Sequence, residues 1–479
     1  MERNRIFGVE TEFGSAAWDD RRKEFSQSDY SLNFMDFAVG GQNQYLPNGA
    51  RVYLDAGSHV ETATPECVSA RQAVVYEKAL EKMIAAKAAE FNNHLAGKAK
   101  IILFKNNADF KGNGYGCHEN YLVPLSLWSE LAIASCGYLP SIFQLFLAIR
   151  PILCGAGYVT PDARFLFSRR AVFIKCIAGS QSQESRPMIH QKTETLSHYG
   201  FSRLHLLIAD SNMSEFSSYL RMGTTHLMLL ALEKLLESGK IPVNHGIFAG
   251  NIDALKLLRE ANDDIACAKR YSAGLFRKVS VCDLHYLLID FINDILHNSF
   301  SPEEKEILAL WHKCVKKIEE GDEDYLARRL DWAIKKRLME RKLERQDIDP
   351  AVLTERRVIG AWSAWRELTK LQMIDLSYHD ISSGGIYNQL AERGAVETIL
   401  ESSEVERAKT IPPETRAAWR GNTINYFNEK LEFDEPVLRR ECWTRIVIAD
   451  KDKKTEFINN NPYEKDWSEV RRFIDKIAN

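Results

Sequence analysis

Two glutamates alternate inside a short apolar segment near the start of the chain, and they constrain the fold more than any other feature. Residues 5–14 read Arg-Ile-Phe-Gly-Val-Glu-Thr-Glu-Phe-Gly, a pattern that predicts a β-strand. On a strand, Glu10 and Glu12 point to the same face. Two like charges on one buried face are costly unless a cation lies between them, and Mg²⁺ prefers carboxylate oxygens. The segment therefore indicates a metal–nucleotide site built on a sheet. The alternative is an exposed edge with two solvated glutamates.

The composition is that of a soluble globular protein. Of the 479 residues, 45% are hydrophobic and 27% are charged, which is ordinary for this class. The length predicts about two to four domains. A net charge of −3 gives no overall attraction to nucleic acid or to an anionic membrane, and no apolar run reaches the length of a membrane span. We therefore expect neither nucleic acid nor membrane as a partner.

The nine cysteines indicate a reducing compartment. None belongs to a Cys-x-x-Cys pair and their number is odd, which argues against a disulfide framework and against a structural zinc site. The N-terminal segment lacks the apolar core of a signal peptide. We therefore expect a cytoplasmic protein.

Hydrophobic periodicity predicts an alternation of strands and helices. Strands are expected at 5–14, 50–55, 101–104 and 204–209, and helices at 71–98, 126–150, 214–238 and 302–345. Ser301-Pro302-Glu303-Glu304 has the composition of a helix start. Pro412-Pro413 breaks the chain, and the residues after it predict a small domain with one helix, a strand at 443–449 and a terminal helix at 464–477.

The second strand carries three polar residues on one face. Arg51, Tyr53 and Asp55 alternate with Val52 and Leu54, so the polar side chains share a face that is suited to a ligand. Arg51 would hold a phosphate or a base, and Asp55 would act as a general base. Glu61, which follows a glycine turn, would reach the same metal as Glu10. An ordinary amphipathic antiparallel strand is the alternative.

Further candidates follow a glycine-rich stretch and a later strand. Gly112, Gly114 and Gly116 allow close approach to a ligand, although the stretch is neither a Walker A loop nor a Rossmann fingerprint. His118 and Glu119 come next, as ligand contacts or as structural residues. Arg203 and His205 share a strand face, and upstream arginines, Arg170 and Arg186 among them, suit phosphate neutralisation. Together these residues suit metal-dependent phosphoryl transfer to a carboxylate.

These motifs resemble those of the ligases of the prokaryotic ubiquitin-like protein Pup, and more distantly their deamidase/depupylase sister. The matching stretches cover nearly the whole chain: 8–14, 48–67, 104–122, 154–157, 203–215, 331–335, 375–381 and Trp443. Both groups are glutamine synthetase-like carboxylate–amine ligases. The resemblance implies an α+β fold, with a concave antiparallel sheet packed with helices over 1–408 and a small C-terminal domain over 409–479.

The resemblance also implies a reaction and its residues. Family members use ATP and Mg²⁺ to phosphorylate the side-chain carboxylate of the C-terminal glutamate of Pup, and a lysine of a target protein then displaces phosphate to give an isopeptide bond that marks the target for proteasomal degradation. By motif match, the metal residues are Glu10, Tyr53 and Glu61, with His118, His205 and Glu12 as further candidates. The ATP contacts are Arg51, Thr64, Trp443, Arg170 and Arg203. Asp55 is the catalytic base that deprotonates the incoming lysine.

A ligase is expected rather than a deamidase. The deamidase sister has a long loop between its first two motif strands, whereas only residues 15–47 separate them here. Val60 and Thr62 replace the Pro and Tyr that usually flank the second metal glutamate, which leaves open whether the partner is an ordinary Pup or a Pup-like modifier. A deamidase of the same fold, or a ligase acting on a different peptide or amino acid, is the alternative.

Overall fold

The structure, a computed structural model, describes most of the chain. The described residues are 5–19, 24–26, 29–39, 44–55, 57–109, 112–133, 137–192, 194, 196–197, 200–239, 253–273, 277–297, 299–353, 361–430, 438–450 and 453–478. Within them the strands β1 to β17 are, in order, Phe7–Asp19, Glu24–Ser26, Gln44–Tyr45, Arg51–Leu54, Val60–Ala63, Ala99–Phe104, Cys117–Pro124, Tyr158–Val159, Phe165–Leu166, Cys176–Gly179, Pro187–His190, Phe201–Leu206, Tyr271–Ala273, Arg277–Val279, Leu438–Cys442, Arg445–Asp450 and Lys453–Ile458.

Helices surround these strands. In order, α1 to α17 are Asp29–Val39, Ala70–His94, Leu125–Trp128, Tyr138–Ile149, Pro151–Cys154, Arg170–Phe173, Glu215–Ser238, Ala254–Asn262, Val281–Leu296, Pro302–Glu319, Glu323–Leu326, Asp331–Glu344, Ala361–Tyr378, Ile386–Glu392, Ser402–Ala408, Arg416–Lys430 and Ser468–Ala478. A π-helical turn, Ser129–Ile133, follows α3, and a 3₁₀ turn, Pro350–Leu353, follows α12. The α+β prediction is confirmed.

The largest sheet has β1 at its centre. Its strand order is β10-β11-β12-β7-β1-β5-β4-β3, and β2 and β6 also pair with β1. The first half of β1 lies between β7 and β5, and its second half pairs with β6 and β2. The described pairings in this sheet are antiparallel apart from β10 with β11, which is parallel. The strand predicted at 5–14 is therefore confirmed and extends to Asp19.

The two faces of β1 differ in chemistry. Phe7 and Val9 are at most 2% exposed and belong to the main hydrophobic core, together with residues of α2 and α7. Because side chains alternate along a strand, Glu10 and Glu12 project from the opposite face. The sheet therefore has one face packed against helices and one polar face.

The two helices that cover the apolar face begin where the sequence predicts. The side chain of Ser69 accepts a hydrogen bond from the backbone N–H of Gln72 at the start of α2, and Ser214 accepts one from Ser217 at the start of α7. Such caps satisfy backbone donors that have no partner within a helix. The helices predicted at 71–98 and 214–238 are confirmed.

Buried ion pairs join these helices to the strands. Lys105 Nζ lies 2.8 Å from Glu77 Oε1 and 3.0 Å from Glu81 Oε2, and Arg221 Nη2 lies 3.1 Å from Glu77 Oε2. Arg221 also donates a hydrogen bond to the thiol sulfur of Cys117 in β7. Because removing one member leaves a buried charge without compensation, this network fixes the position of the strands relative to α2 and α7.

A second buried network contains two of the family-like stretches, 331–335 and 375–381. Lys335 Nζ donates hydrogen bonds to the carbonyl of Gly157 and to Asp375 Oδ1. The backbone N–H of Lys105 donates to the carbonyl of His379. The network thus supports the loop that follows β6.

Two of the predicted helices are wrong as single helices. The segment 126–150 contains α3, the π-helical turn and α4, and Gly137 has a φ of 132° before α4. The segment 302–345 contains α10, α11 and α12, and Gly321 has a φ of 67° after α10. Gly321 has the left-handed conformation that ends α10, and Gly137 is the residue that immediately precedes α4. The start of α10 is as predicted, since Ser301 and Glu304 form a capping box.

The C-terminal residues have a separate small core. Helices α16 and α17 pack with β16 and β17 around Trp419, Phe427, Ile446, Ile448, Phe457, Val470 and Ile474. The strand predicted at 443–449 is shifted, because Trp443 lies in the turn between β15 and β16. The domain boundary at 409 stays a prediction.

Glu66 connects this C-terminal unit to the large sheet. Its carboxylate accepts hydrogen bonds from Arg416 Nε at 2.8 Å and from Arg420 Nη1 and Nη2 at 2.9 and 2.5 Å. All three side chains are buried. Burial opposes ionisation of Glu66, but the two guanidinium groups lower its pKa from 4.5 to about 2.

Among the described residues, no single helix has the length and apolar composition needed to cross a membrane. Two helical segments that meet at a bend, Leu125–Ile133 and Tyr138–Cys154, reach that length and apolar composition only when they are taken together. The described cysteines, seven in number, are free. Cys136 and the side chain of Cys442 lie outside the described part of the chain.

We predict that Glu66→Gln destabilises the protein in a pH-dependent way. Because the pKa of Glu66 is lower in the folded state, its stabilising effect is complete above about pH 4.5 and is lost as the pH falls to about 2. One pKa unit corresponds to about 1.4 kcal/mol, so the expected loss at pH 7 is about 3 kcal/mol. Denaturant unfolding followed between pH 7 and pH 3 measures it, and the difference from wild type should shrink as the pH falls.

Glu90→Gln is the matched control, because Glu90 is an exposed residue of α2 that pairs with Lys87 at the surface. Its effect should stay within about 0.5 kcal/mol at every pH. A Glu66→Gln difference that does not vary with pH would contradict the prediction.

Candidate active site

An open cleft of about 1410 Å³ lies over the polar face of the sheet. It collects residues from β1, β4, β5, β7 and β12 together with loops and the C-terminal unit. The predicted site residues that line it are Glu10, Glu12, Arg51, Tyr53, Asp55, Glu61, His118, Arg170, Arg203 and Trp443. Thr64 and His205 are not among its lining residues and lie beside it, as described below.

Three carboxylates converge at the centre of the cleft because of strand register. Glu12 lies directly opposite Glu61 on β5, and Glu10 lies directly opposite His118 on β7. Tyr53 on β4 is opposite Glu61 on its other side. Like charges placed directly opposite each other are destabilising, so this register creates a site that favours a cation.

The protonation behaviour of the carboxylates reflects this crowding. Burial, together with the negative charges of Glu10 and Glu12, raises the pKa of Glu61 well above its ordinary value. Burial also opposes ionisation of Glu10, but His205, His118 and Arg203 lower its pKa well below the ordinary value. A divalent cation at this point would remove the repulsion that acts on Glu61.

Two histidines complete the donor set. His118 Nδ1 lies 3.2 Å from Glu10 Oε2, and His205 Nε2 lies 3.6 Å from the same oxygen. His205 is 1% exposed, and within the described part of the chain neither of its ring nitrogens has a hydrogen-bond partner. Buried polar atoms usually have partners, so these nitrogens are available to bind a metal ion.

The donor atoms form two groups that share His118. In the first group, ligand atoms of Glu10, His118 and His205 lie within 4.8 Å of one another, and Glu12, Glu61 and His118 satisfy the same limit. A third group that meets this limit, without His118, is Glu12, Asp55 and His59. The hydroxyl of Tyr53 is hydrogen-bonded to Glu61. Carboxylate oxygens with histidine nitrogens suit a divalent cation such as Mg²⁺ or Mn²⁺, so the structure brings together all six predicted metal residues.

Asp55 lies directly after β4, at the tight turn that leads into β5. Its Oδ1 accepts a hydrogen bond from the backbone N–H of His59 at 2.5 Å and lies 3.5 Å from His59 Nδ1. Burial opposes ionisation, but the bonds from His59 lower the pKa of Asp55 below its ordinary value. Asp55 is therefore an ionised carboxylate at neutral pH, in the state needed to accept a proton.

A narrower pocket adjoins the cleft where β1 begins. Its walls are mainly apolar and include Gly8, Ala63 and Leu122, and Thr64 and Trp443 also line it. Thr64 Oγ1 accepts a hydrogen bond from the backbone N–H of Val9. Small residues beside an aromatic ring form a slot suited to a planar base.

Arginines lie around both cavities. Arg203 lines both and donates to Glu10 Oε1 at 3.2 Å. The guanidinium of Arg51 lies 4.2 Å from the ring centre of Tyr53. Arg170 is buried, and its Nε donates to the carbonyl of Leu207.

Some site residues are absent from the sequence prediction. Asn120 donates to Glu10 and accepts from Arg203, and the ring of His59 packs on Tyr115 with ring centres 5.0 Å apart. The sequence could have predicted Asn120 as a site residue, because it is two residues after His118 on the same strand and therefore shares its face. His59 and Tyr115 had none beyond their position near glycines, because a turn does not fix side-chain direction.

The two departures from the family pattern do not reach the cleft. Val60 is 2% exposed and belongs to a hydrophobic cluster on the side of the sheet away from Glu61. Thr62 is also buried and pairs with Thr11 and Val52. The substitutions therefore alter packing beneath Glu61 rather than the lining of the site.

The chain is similar to known proteins over almost its whole length. A family model described as Pup-ligase protein matches residues 5–446. The chain is 31% identical over 490 aligned positions to the Pup–protein ligase of Kineococcus radiotolerans, covering 99% of each protein. It is 32% identical over 433 positions to that of Actinosynnema mirum, covering 88% of this chain and 89% of the relative.

Two solved structures are similar over most of the chain. The complex between the prokaryotic ubiquitin-like protein Pup and its ligase PafA matches with a TM-score of 0.81 and 27% identity, over 99% of this chain and 91% of that one. PafA in complex with ADP matches with a TM-score of 0.75 and 27% identity, over 91% and 90%. The chain belongs to the Pup ligase family.

Proposed function

We propose that this protein is an ATP-dependent ligase that joins the C-terminal glutamate of Pup, or of a Pup-like modifier, to a lysine of a target protein. One observation carries the proposal. The narrower pocket adjoins the cleft that holds the carboxylate–histidine cluster and Asp55, and Glu10, Arg203 and Trp443 line both cavities. A site of this kind holds a nucleotide, a cation and a proton acceptor next to each other.

The reaction requires two substitutions. In the first, an oxygen of the modifier's glutamate side chain attacks the γ-phosphorus of ATP, the bond to the β,γ-bridging oxygen breaks, and ADP leaves. In the second, the lysine amine attacks the carbonyl carbon of the acyl phosphate, the carbon–oxygen bond to phosphate breaks, and phosphate leaves. The lysine is protonated at neutral pH, so it must lose a proton before it attacks, and Asp55 is the acceptor.

The carboxylate–histidine cluster fits Mg²⁺. Glu10, Glu12, Tyr53, Glu61, His118 and His205 would hold it. Bound Mg²⁺ would neutralise phosphate oxygens during transfer. The crowded carboxylates and the orphaned nitrogens of His205 support this assignment.

The nucleotide residues divide between the two cavities. Thr64 and Trp443 would contact the base end of ATP, and Arg203 lies where the cavities meet. Arg51 and Arg170 would contact the remaining polar groups of the nucleotide. PafA, which is similar in structure, has been solved with ADP.

The partners are a small modifier and proteins that carry lysine. PafA has been solved with Pup, and conjugation of this kind would direct the target to proteasomal degradation. The cytoplasmic location stays a prediction from the cysteines.

The decisive experiment incubates the protein with ATP, Mg²⁺, Pup and a protein that carries lysine. A covalent conjugate on lysine, formed together with ADP, supports the proposal. Absence of the conjugate contradicts it, and cleavage of a ready-made conjugate without ligation would favour a deamidase of the same fold.

We predict that Asp55→Asn reduces lysine conjugation by about 10²- to 10⁴-fold, the usual range for loss of a general base. ATP binding should persist, because Asp55 is not part of the base pocket. Hydroxylamine is unprotonated at neutral pH and should still trap the acyl phosphate as a hydroxamate. Conjugation and hydroxamate formation are measured side by side.

Asp290→Asn, an exposed position of α9, is the matched control and should conjugate like wild type. Wild-type conjugation by Asp55→Asn would refute the base assignment. Loss of the hydroxamate as well would place Asp55 in the phosphorylation step instead.

We predict that Glu61→Gln has opposite effects on stability with and without metal. In EDTA the variant should be as stable as wild type or more stable, by up to about 1 kcal/mol, because one of the opposed charges is gone. With Mg²⁺ wild type should gain more stability, and the variant should need at least about tenfold more Mg²⁺ for half-maximal activity. Thermal unfolding and an activity titration measure the two effects.

Glu90→Gln again serves as the control, and it should follow wild type in both conditions. If Mg²⁺ stabilises Glu61→Gln as much as wild type, Glu61 is not a metal ligand.

A further inference from the structure

Two arginines face the same part of the cleft without a carboxylate partner. Arg170 and Arg186 both line the cleft, and within the described part of the chain neither forms an ion pair with an acidic side chain. Burial lowers the pKa of Arg170, Glu12 and Asp210 oppose that shift, and the nearby positive charge of Arg186 adds to it. Two neighbouring guanidinium groups, one of which has a buried Nη1 without a partner among the described residues, form a site for an anion.

Arg186 is held in position by its surroundings rather than by an acid. Its Nε donates to the carbonyl of Gln183, and its guanidinium lies 4.8 Å from the ring centre of Phe173. Its Nη1 is buried and has no partner among the described residues. The φ of Arg186 is 40°, a conformation that costs energy for any residue but glycine and that is common at functional sites.

The glycine-rich stretch leaves room for this side chain. A Cβ added at Gly114 would lie 2.7 Å from Arg186 Nη1. Gly114 also lines the cleft. A larger residue at 114 would therefore displace the guanidinium, so the glycine permits the arginine to reach the cleft.

The location of these arginines separates them from the nucleotide base. The base pocket is lined by residues at the start of β1, such as Gly8. Arg203 also lines it, whereas Arg170 and Arg186 do not. The loop that carries Gly114 and Tyr115 lies beside Gly14, six residues further along β1, which is roughly 20 Å of strand. The carboxylate cluster at Glu10 and Glu12 lies between the two ends. Arg186 is thus on the side of the cluster opposite the base pocket, where an acceptor in line with the γ-phosphate of the bound nucleotide would lie.

The acceptor presents a second anion that the reaction does not consume. A C-terminal glutamate has a side-chain carboxylate, which is phosphorylated, and a main-chain α-carboxylate, which remains charged. The planar fork of arginine binds a carboxylate through two hydrogen bonds. We propose that Arg186 binds the α-carboxylate of the modifier's C-terminal glutamate and so selects a glutamate at the chain end. The inference rests on the proposed ligase function.

The test compares two forms of Pup, one with a free C-terminal glutamate and one whose C-terminal α-carboxylate is converted to a carboxamide. Both keep the side-chain carboxylate. Wild type should favour the free acid by about 10²-fold in kcat/KM, because the amide leaves the guanidinium unpaired. Arg186→Gln should lower kcat/KM for the free acid by about the same factor, leave the amide nearly unchanged, and leave the KM for ATP unchanged. Arg186→Lys should lie between wild type and Arg186→Gln.

Arg341→Gln, an exposed position of α12, is the matched control and should keep the wild-type preference. Equal use of acid and amide by wild type overturns the proposal, and this arm does not depend on the folding of any variant. A raised KM for ATP in Arg186→Gln with the acid preference intact also overturns it, because Arg186 would then serve the triphosphate. If wild type conjugates neither form of Pup, the ligase function itself is refuted. That result differs from equal conjugation of both forms, which refutes only the role of Arg186.

Discussion

The site depends on the pairing of β1 with a neighbour on each side. Hydrogen bonds to β5 and β7 fix Glu10 opposite His118 and Glu12 opposite Glu61. A shift of one residue would turn both glutamates into the apolar core and bring Val9 to the cleft. The apolar residues of β1 therefore hold the register, and the register creates the charge cluster.

Interactions on the opposite face of the sheet hold the strands together against the repulsion within that cluster. Burial of Lys105, Glu77 and Arg221 ties the strands to α2 and α7, and breaking such pairs is strongly unfavourable. The strands consequently cannot move apart to relieve the opposed carboxylates. The crowded acids can lower their electrostatic energy by proton uptake at Glu61, whose pKa is raised, and a bound cation would lower it in the same way.

The two cavities follow β1 from end to end. The narrower pocket is at the start of the strand, the carboxylates follow, and the cleft continues past Gly14 to Arg186. The C-terminal unit takes part because Glu66 binds Arg416 and Arg420 two residues beyond Thr64. Loss of that connection would alter the pocket as well as the stability, since Trp443 belongs to the same unit.

The sequence by itself determined the strand with Glu10 and Glu12, the shared face of Arg51, Tyr53 and Asp55, and the family, because alternation and motif spacing are local properties. It did not give the breaks in the long helical segments, such as the one at Gly321 after α10. Only the tertiary structure decided which residues meet across strands and loops. His205 joins Glu10, and Arg186 enters the cleft past Gly114, because these contacts depend on register and close packing between residues far apart in the chain.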